Sequence, residues 1–395
     1  MAEIIEAISE SEMVGISSDT YLYSNNHQAN ADAKTTLEAE TEENTDEFTG
    51  ELDFEEQMIE RLLAGECSIE YALLVASGLD NDEEVEKYQR KIGKIQSDFD
   101  AWYTNSNACH TERFGEERRD DIHIAKALFD YLWERKPERY RYGYTGYRLT
   151  CVIDHQLDKE QYLMLGDCVG LTALYTVLGT RLELDLSVLC SEYHILSCLT
   201  TSEEEAVKKT AIENTRRNGF DAHFTEKEST EKESIYYFDD FESHAAYAYR
   251  EENSLRIVAC IFNNRGTLNI DAKLFDRAFN ELKKAIRLSP NHATAFNNRG
   301  CANNGVYNYN GAIADCNEAI RLNSKFAEAF VTRGCAKTRL GRMEEAIADF
   351  DDAIRLEPDC AVFYGQRGEA KLFFGDNEGS IVDFKTYNRL IKKMF

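Results

Sequence analysis

AFVTRGCAKTRLGRMEEAIADFDDAIRLEP, residues 329–358, is one copy of a pattern that returns along the last third of the chain. Its Arg-Gly pair, Arg333–Gly334, recurs at Arg265–Gly266, Arg299–Gly300 and Arg367–Gly368, 34 residues apart each time. Its Ala-Ile-Arg-Leu, 353–356, recurs at 285–288 and 319–322. An aromatic stands three residues before each arginine, at Phe262, Phe296, Phe330 and Tyr364. Small residues recur at Ala278, Ala312, Ala346 and Ser380, and again at Ala285, Ala319 and Ala353, where the last copy has Tyr387. Pro290 and Pro358 close units, with Ser324 in the corresponding place between them. Apolar and small residues at helical spacing predict two helices per unit, and the glycine lets them approach closely. Such a unit cannot bury its apolar face alone, so neighbouring units must stack.

The period and these positions are similar to tetratricopeptide repeats. The resemblance implies an all-α solenoid over 256–395 with about four repeats, closed by KTYNRLIKKMF as a charged cap. It also implies a groove, lined by the first helix of each repeat, that takes a protein or peptide partner. Asn263, Asn297 and Asn298 are the candidate partner-binding residues, with Thr294 and Glu328 nearby, because an asparagine amide both donates to and accepts from a peptide backbone. Some relatives clamp the carboxylate of a chaperone tail with lysines; the matching positions here lack them, so that ligand is not expected. The four repeated arginines fit inter-repeat packing or charge balance.

Outward from the repeats, the 395-residue chain has room for two or three domains. It carries 72 acidic against 45 basic residues, a net charge of −27. That argues against nucleic acid and against an anionic membrane surface, both of which need basic neutralisation. No apolar run is long enough to span a bilayer. Eleven cysteines with no readable secretory signal point to free thiols in a reducing, cytoplasmic setting. Residues 1–50, with ETEENTDEF, have too few apolar positions for a core and are expected to form an acidic disordered tail. From about 51 to Pro137 the patterns are helical. RYRYGYTGYRLTC, residues 139–151, reads as a loop.

The stretch LMLGDCVGLTALYTVLGTRLEL, residues 163–184, then puts a cysteine at the start of an amphipathic helix. Asp167 is placed to cap it and Cys168 falls in its first turn. There the unpaired amides and the positive end of the helix dipole favour a thiolate. LDLSVLC, EYHILSCLT and KKTAIENT follow as three strand-like runs, and TEKESTEKES, 225–234, reads as an exposed loop or linker.

The segment GDCVGLTALYTVLGTRLELDLSVLCSEYHILSCL resembles the transglutaminase-like superfamily, and within it the bacterial SirB-type proteins. Those have a helical lead-in before the core, and repeats sometimes follow. The resemblance covers roughly 55–255 and implies a cysteine-protease/transglutaminase-like α+β core over 51–255. It places a catalytic trio at Cys168, His194 and Glu213. Glu192–Tyr193 precedes the histidine where relatives carry Pro-Gly, and the acid is Glu where Asp is usual; the adjacent Asn214 is an alternative orienting residue. A thiolate–imidazolium pair of this kind attacks an acyl carbon, with helix-start amides available to an oxyanion. Water as acceptor makes a peptidase or amidase, an amine a transglutaminase. The alternatives are a non-catalytic scaffold or a repeat-based chaperone or secretion adaptor. A zinc site at Cys190, His194 and Cys198 is not expected: on one strand, at roughly 3.3 Å per residue, the cysteines would stand some 26 Å apart. No cofactor motif is present.

Overall fold

A computed structural model describes residues 53–107, 121–135, 147–158, 166–191, 194–203, 206–215, 220, 224–228, 234–238 and 249–394. The expected acidic tail lies outside these residues. The chain divides into two units at Ile261–Phe262.

The first unit opens with helices α1 (Phe54–Leu63), α2 (Ile69–Ala76), α3 (Asp82–Asn107), α4 (Asp121–Arg135) and α5 (Leu149–Leu157). Asp53 caps α1 by accepting the amide of Glu56, and Ser68 caps α2 by accepting that of Tyr71. α5 begins inside the segment read as a loop, at Leu149–Cys151. Only nine residues long, it gains its helicity from burying Leu149, Val152 and Ile153, a tertiary effect that local composition does not announce.

Helix α6 (Cys168–Arg181) is the centre of this unit. The pattern suggested an amphipathic helix; instead every residue from Cys168 to Gly179 is buried. Tyr175 donates its hydroxyl to the Ala125 carbonyl of α4 at 2.8 Å, and Arg181 forks onto both oxygens of Glu70 at 2.7 Å. A Cβ on Gly179 would lie 2.4 Å from Leu186 Cδ1, so only glycine allows this approach of helix to strand.

The sheet contains β1 (Leu186–Cys190), β2 (Ile195–Glu203), β3 (Ala206–Ile212), β4 (Phe224–Glu228), β5 (Ser234–Phe238) and β6 (Tyr249–Glu252), in the order β3-β2-β1-β6-β5-β4. All named pairings are antiparallel. The first three strands fall on the three apolar runs. TEKESTEKES does not form a plain linker: Thr225–Glu228 pairs with Ser234–Tyr237, with Glu226 opposite Tyr236. The pairing partner, rich in β-formers as Ile235–Phe238, sets the conformation of the polar copy. Cys190 ends β1 opposite Ile195, whereas Cys198 lies on β2, so the one-strand geometry considered for zinc is not the geometry present.

The second unit continues α7 (Leu255–Asp271) and adds α8 (Phe275–Leu288), α9 (Ala293–Gly305), α10 (Tyr309–Leu322), α11 (Ala327–Arg339), α12 (Met343–Leu356), α13 (Ala361–Phe374) and α14 (Asn377–Met394). These are four helix pairs on the 34-residue period, a tetratricopeptide-type array. Ala278, Ala312, Ala346 and Ser380 are fully buried where the helices of a pair meet. A Cβ on Gly334 would sit 2.8 Å from the Phe350 ring. The terminal segment read as a cap lies in α14 and packs Tyr387, Leu390 and Ile391 against Ala361.

The repeated arginine has a repeated role. Arg299, Arg333 and Arg367 fork onto Asp315, Asp349 and Asp383, sixteen residues on, and Arg265 meets Glu281 in the same way. Arg333 and Arg367 also reach sixteen residues back, to Asn317 and Asp351, both at 2.6 Å. Each guanidinium stacks over the aromatic three residues before it. One side chain thus ties the second helices of adjacent repeats.

Candidate functional site

Asp167 caps α6 as its sequence position implied: Oδ1 accepts the amides of Val169 at 2.9 Å and Gly170 at 3.0 Å. This has a chemical consequence. Two of the amides expected to face an oxyanion are already taken by the capping carboxylate. Among the described residues, the Cys168 amide is the helix-start N–H that remains for a developing negative charge.

His194 lies just before β2 rather than within it. Its backbone is pinned twice to Ser191: the Ser191 amide donates to the His194 carbonyl at 2.9 Å, and the His194 amide donates to the Ser191 hydroxyl at 3.1 Å. The ring meets Tyr249 edge-on at 6.4 Å. Its Nε2 is hydrogen-bonded to Glu213 Oε2. The other carboxylate oxygen, Oε1, accepts from the Thr215 amide at 2.9 Å and the Thr215 hydroxyl at 2.6 Å. Glu213 therefore has both oxygens engaged in a buried setting, 4% exposed. With Nε2 committed to Glu213, Nδ1 is the ring nitrogen left free of the carboxylate, and the Cys168 side chain lies close enough to act on the imidazole. The structure brings Cys168, His194 and Glu213 together.

The electrostatics follow from this packing. Burial opposes charge on His194, but the Glu213 carboxylate and the Cys168 thiol outweigh it and push the imidazole up to about 10. Burial likewise opposes charge on Glu213, yet the imidazolium and the Thr215 bonds hold its carboxyl below the usual range. Burial pushes Asp167 up to about 6, less far than it would without its two amide bonds and nearby His194.

Asn214, considered as an alternative partner for the histidine, does not orient it. Its amide nitrogen donates to Ser197 Oγ at 2.9 Å and, more weakly, to Thr172 Oγ1 and the Ile212 carbonyl, both at 3.4 Å. Sequence reading also passed over Thr215, although a threonine two residues after an acid is a local turn signal. A third cluster had no sequence signal: Arg256 is buried and hydrogen-bonded with both Cys190 and Cys260. Burial pushes the Cys260 thiol up to about 11, partly offset by that guanidinium.

In the array, Asn298 donates to Asn263 Oδ1 at 3.0 Å and to Thr267 Oγ1 at 3.1 Å. Thus two of the three candidate groove asparagines bond each other between neighbouring first helices. The link repeats: Cys301 meets Thr332 at 3.5 Å, and Cys335 donates to Gln366 Oε1 at 3.2 Å. Asn297 is 6% exposed, and its Oδ1 has no hydrogen-bond partner among the described residues. Among those residues no helix is long and apolar enough to cross a membrane, and no group of His, Cys, Asp and Glu is arranged for a metal ion.

The tetratricopeptide repeat family matches at residues 327–360. Solved structures similar to the chain include MamA, at 25% identity over 34% of this chain and 80% of that one, with a TM-score of 0.32. The Arabidopsis OM64 TPR domain is 27% identical over 30% of this chain and 98% of its own, with a TM-score of 0.29. The second TPR domain of human RPAP3, solved in complex with an HSP70 peptide, is 29% identical over 29% of this chain and 94% of its own, with a TM-score of 0.28. Curated protein sequences give no significant match.

Proposed function

We propose that the chain is a protein-binding repeat protein whose array holds a peptide or protein segment along its first helices. The observation that supports this most is the array itself: four stacked pairs on one period, with a repeat-family match inside them. Thr294, Asn298 and Glu328 are partly exposed on those helices and are the contact residues of the reading. A peptide-display selection against the full chain tests it. Enriched peptides should lose binding to Asn298→Arg and keep it to Arg321→Glu on α10. Failure to enrich, or equal binding to both variants, overturns the reading.

A second reading concerns the core, and one observation favours it: the half-buried imidazole of His194 bonds the buried carboxylate of Glu213 and lies near the buried thiol of Cys168. We infer a transglutaminase-like module for cysteine-dependent acyl transfer, with the repeats recruiting its protein substrate. Cys168 is the nucleophile, His194 the base and later the acid, and Glu213 the group that holds the imidazole. The thiolate sulfur bonds to the acyl carbon; the leaving amine takes the imidazolium proton; water or an amine then releases the acyl group. Incubation with an amide-linked acyl probe should leave a mass adduct on Cys168 that is absent in Cys168→Ser and His194→Ala; no adduct on the unmodified chain overturns it.

A further inference from the structure

We propose that Asn214 is a positioning residue that locks the helix carrying the thiol against the strand that directly follows the imidazole; this rests on the acyl-transfer reading of the core. Three elements supply the trio, and their side chains alone do not fix the elements to one another. Thr172 lies one turn after Cys168, on the same face of α6. Ser197 lies three residues after His194 and stands opposite Ile212 in the β2–β3 register. Asn214 follows Glu213 directly. Its amide reaches Ser197 and Thr172 together, and the Thr172 hydroxyl passes the chain on to the Ile195 carbonyl at 3.3 Å. The Ile212 carbonyl can only accept, which fixes the amide nitrogen toward this cluster.

All three side chains are buried: Asn214 is 2% exposed, Thr172 and Ser197 not at all. A polar group so placed is costly unless bonded, so the cluster has a narrow choice of arrangements. The dipeptide Glu213–Asn214 therefore acts in two directions. One side chain holds the imidazole; the next holds α6 one turn behind the thiol. A small slip of α6 would part sulfur from ring while leaving the His194–Glu213 bond intact.

The test is an NMR titration of His194 in the full chain, with carbon-labelled histidine, for the unmodified protein and for Cys168→Ser, Asn214→Ala, Thr172→Val and Thr172→Ser. Thermal unfolding is recorded alongside. The unmodified imidazole should titrate near 10. Cys168→Ser gives the fall that loss of the thiol alone produces. Asn214→Ala and Thr172→Val should show a similar fall, by about one unit, and Thr172→Ser should keep the original value. A purely structural asparagine would lower the unfolding midpoint and leave the titration alone, which overturns the proposal. If Asn214→Ala does not fold, Thr172→Val, an exchange of hydroxyl for methyl, decides. If the unmodified chain titrates at an ordinary histidine value, the acyl-transfer reading falls and this proposal with it; if it titrates near 10 and both variants match it, only this proposal falls.

Discussion

The two units of this chain solve the burial of polar and charged groups in opposite ways. In the array, each arginine is partly exposed, repeated, and shared between an acid sixteen residues ahead and, in two copies, an acceptor sixteen residues behind. Loss of one such link is local, because each repeat touches only its neighbours. In the core, His194, Glu213, Thr215, Asn214, Thr172 and Ser197 form buried or half-buried bonds that each occur once. Redundant links make a scaffold tolerant; single ones make a site that depends on every member.

The largest expected effect breaks the array. Phe350→Ala empties a site 1% exposed between α11 and α12 and should cost about 3–5 kcal/mol. Urea unfolding of the full chain should show an early transition confined to the repeats. Simultaneous loss of both units would contradict the division.

Next comes the core. Glu213→Gln leaves the buried imidazolium without its counter-charge and should cost about 2–3 kcal/mol at pH 7, limited by proton loss from His194. The pH dependence has a definite sign. His194 is raised from 6.5 to about 10, so its contribution is complete below about 6.5 and is lost as pH rises through 10. Glu213 is lowered, so its contribution is present above its ordinary value and is lost only in acid. Unfolding midpoints should therefore fall between about pH 6.5 and 10, and in Glu213→Gln that fall should shrink and move toward neutrality. A flat alkaline limb in the unmodified chain would contradict the pairing.

Arg333→Lys tests the shared fork. Lysine keeps the charge but cannot bond Asp349 with two parallel donors and reach Asn317 as well, so a loss of about 1 kcal/mol is expected. The smallest effect has the other sign. The turn within each repeat needs a left-handed residue, supplied by Gly341 and Gly375 in two copies but by Lys273 and Tyr307 in the others, with φ of 61° and 62°. Tyr307 is 78% exposed, so Tyr307→Gly should stabilise by about 0.5 kcal/mol, read from the same urea curves.

The array was legible because its contacts recur at the sequence period: Gly334 against Phe350 is the same event as Gly266 against Leu282. The core was legible only where a local rule applied. Asp167 before Cys168 reads as a cap, and Leu186–Cys190 reads as a strand. The turn from Leu149 into α5, the pairing of the TEKES copy and the burial of α6 on all sides depend on distant partners. So does Asn214, whose bonds span 17 and 42 residues. The groove asparagines show the same limit: the sequence placed them on first helices, and packing then joined Asn263 to Asn298.

The most direct measurement is the rate of Cys168 alkylation by a small neutral reagent at pH 6, read by peptide mass spectrometry against Cys67 and Cys335 in the same chain, with and without His194→Ala. Cys168 should be labelled about tenfold or more ahead of both and should lose that lead without the imidazole. Labelling no faster than Cys67 and Cys335, or a lead that survives His194→Ala, would contradict it.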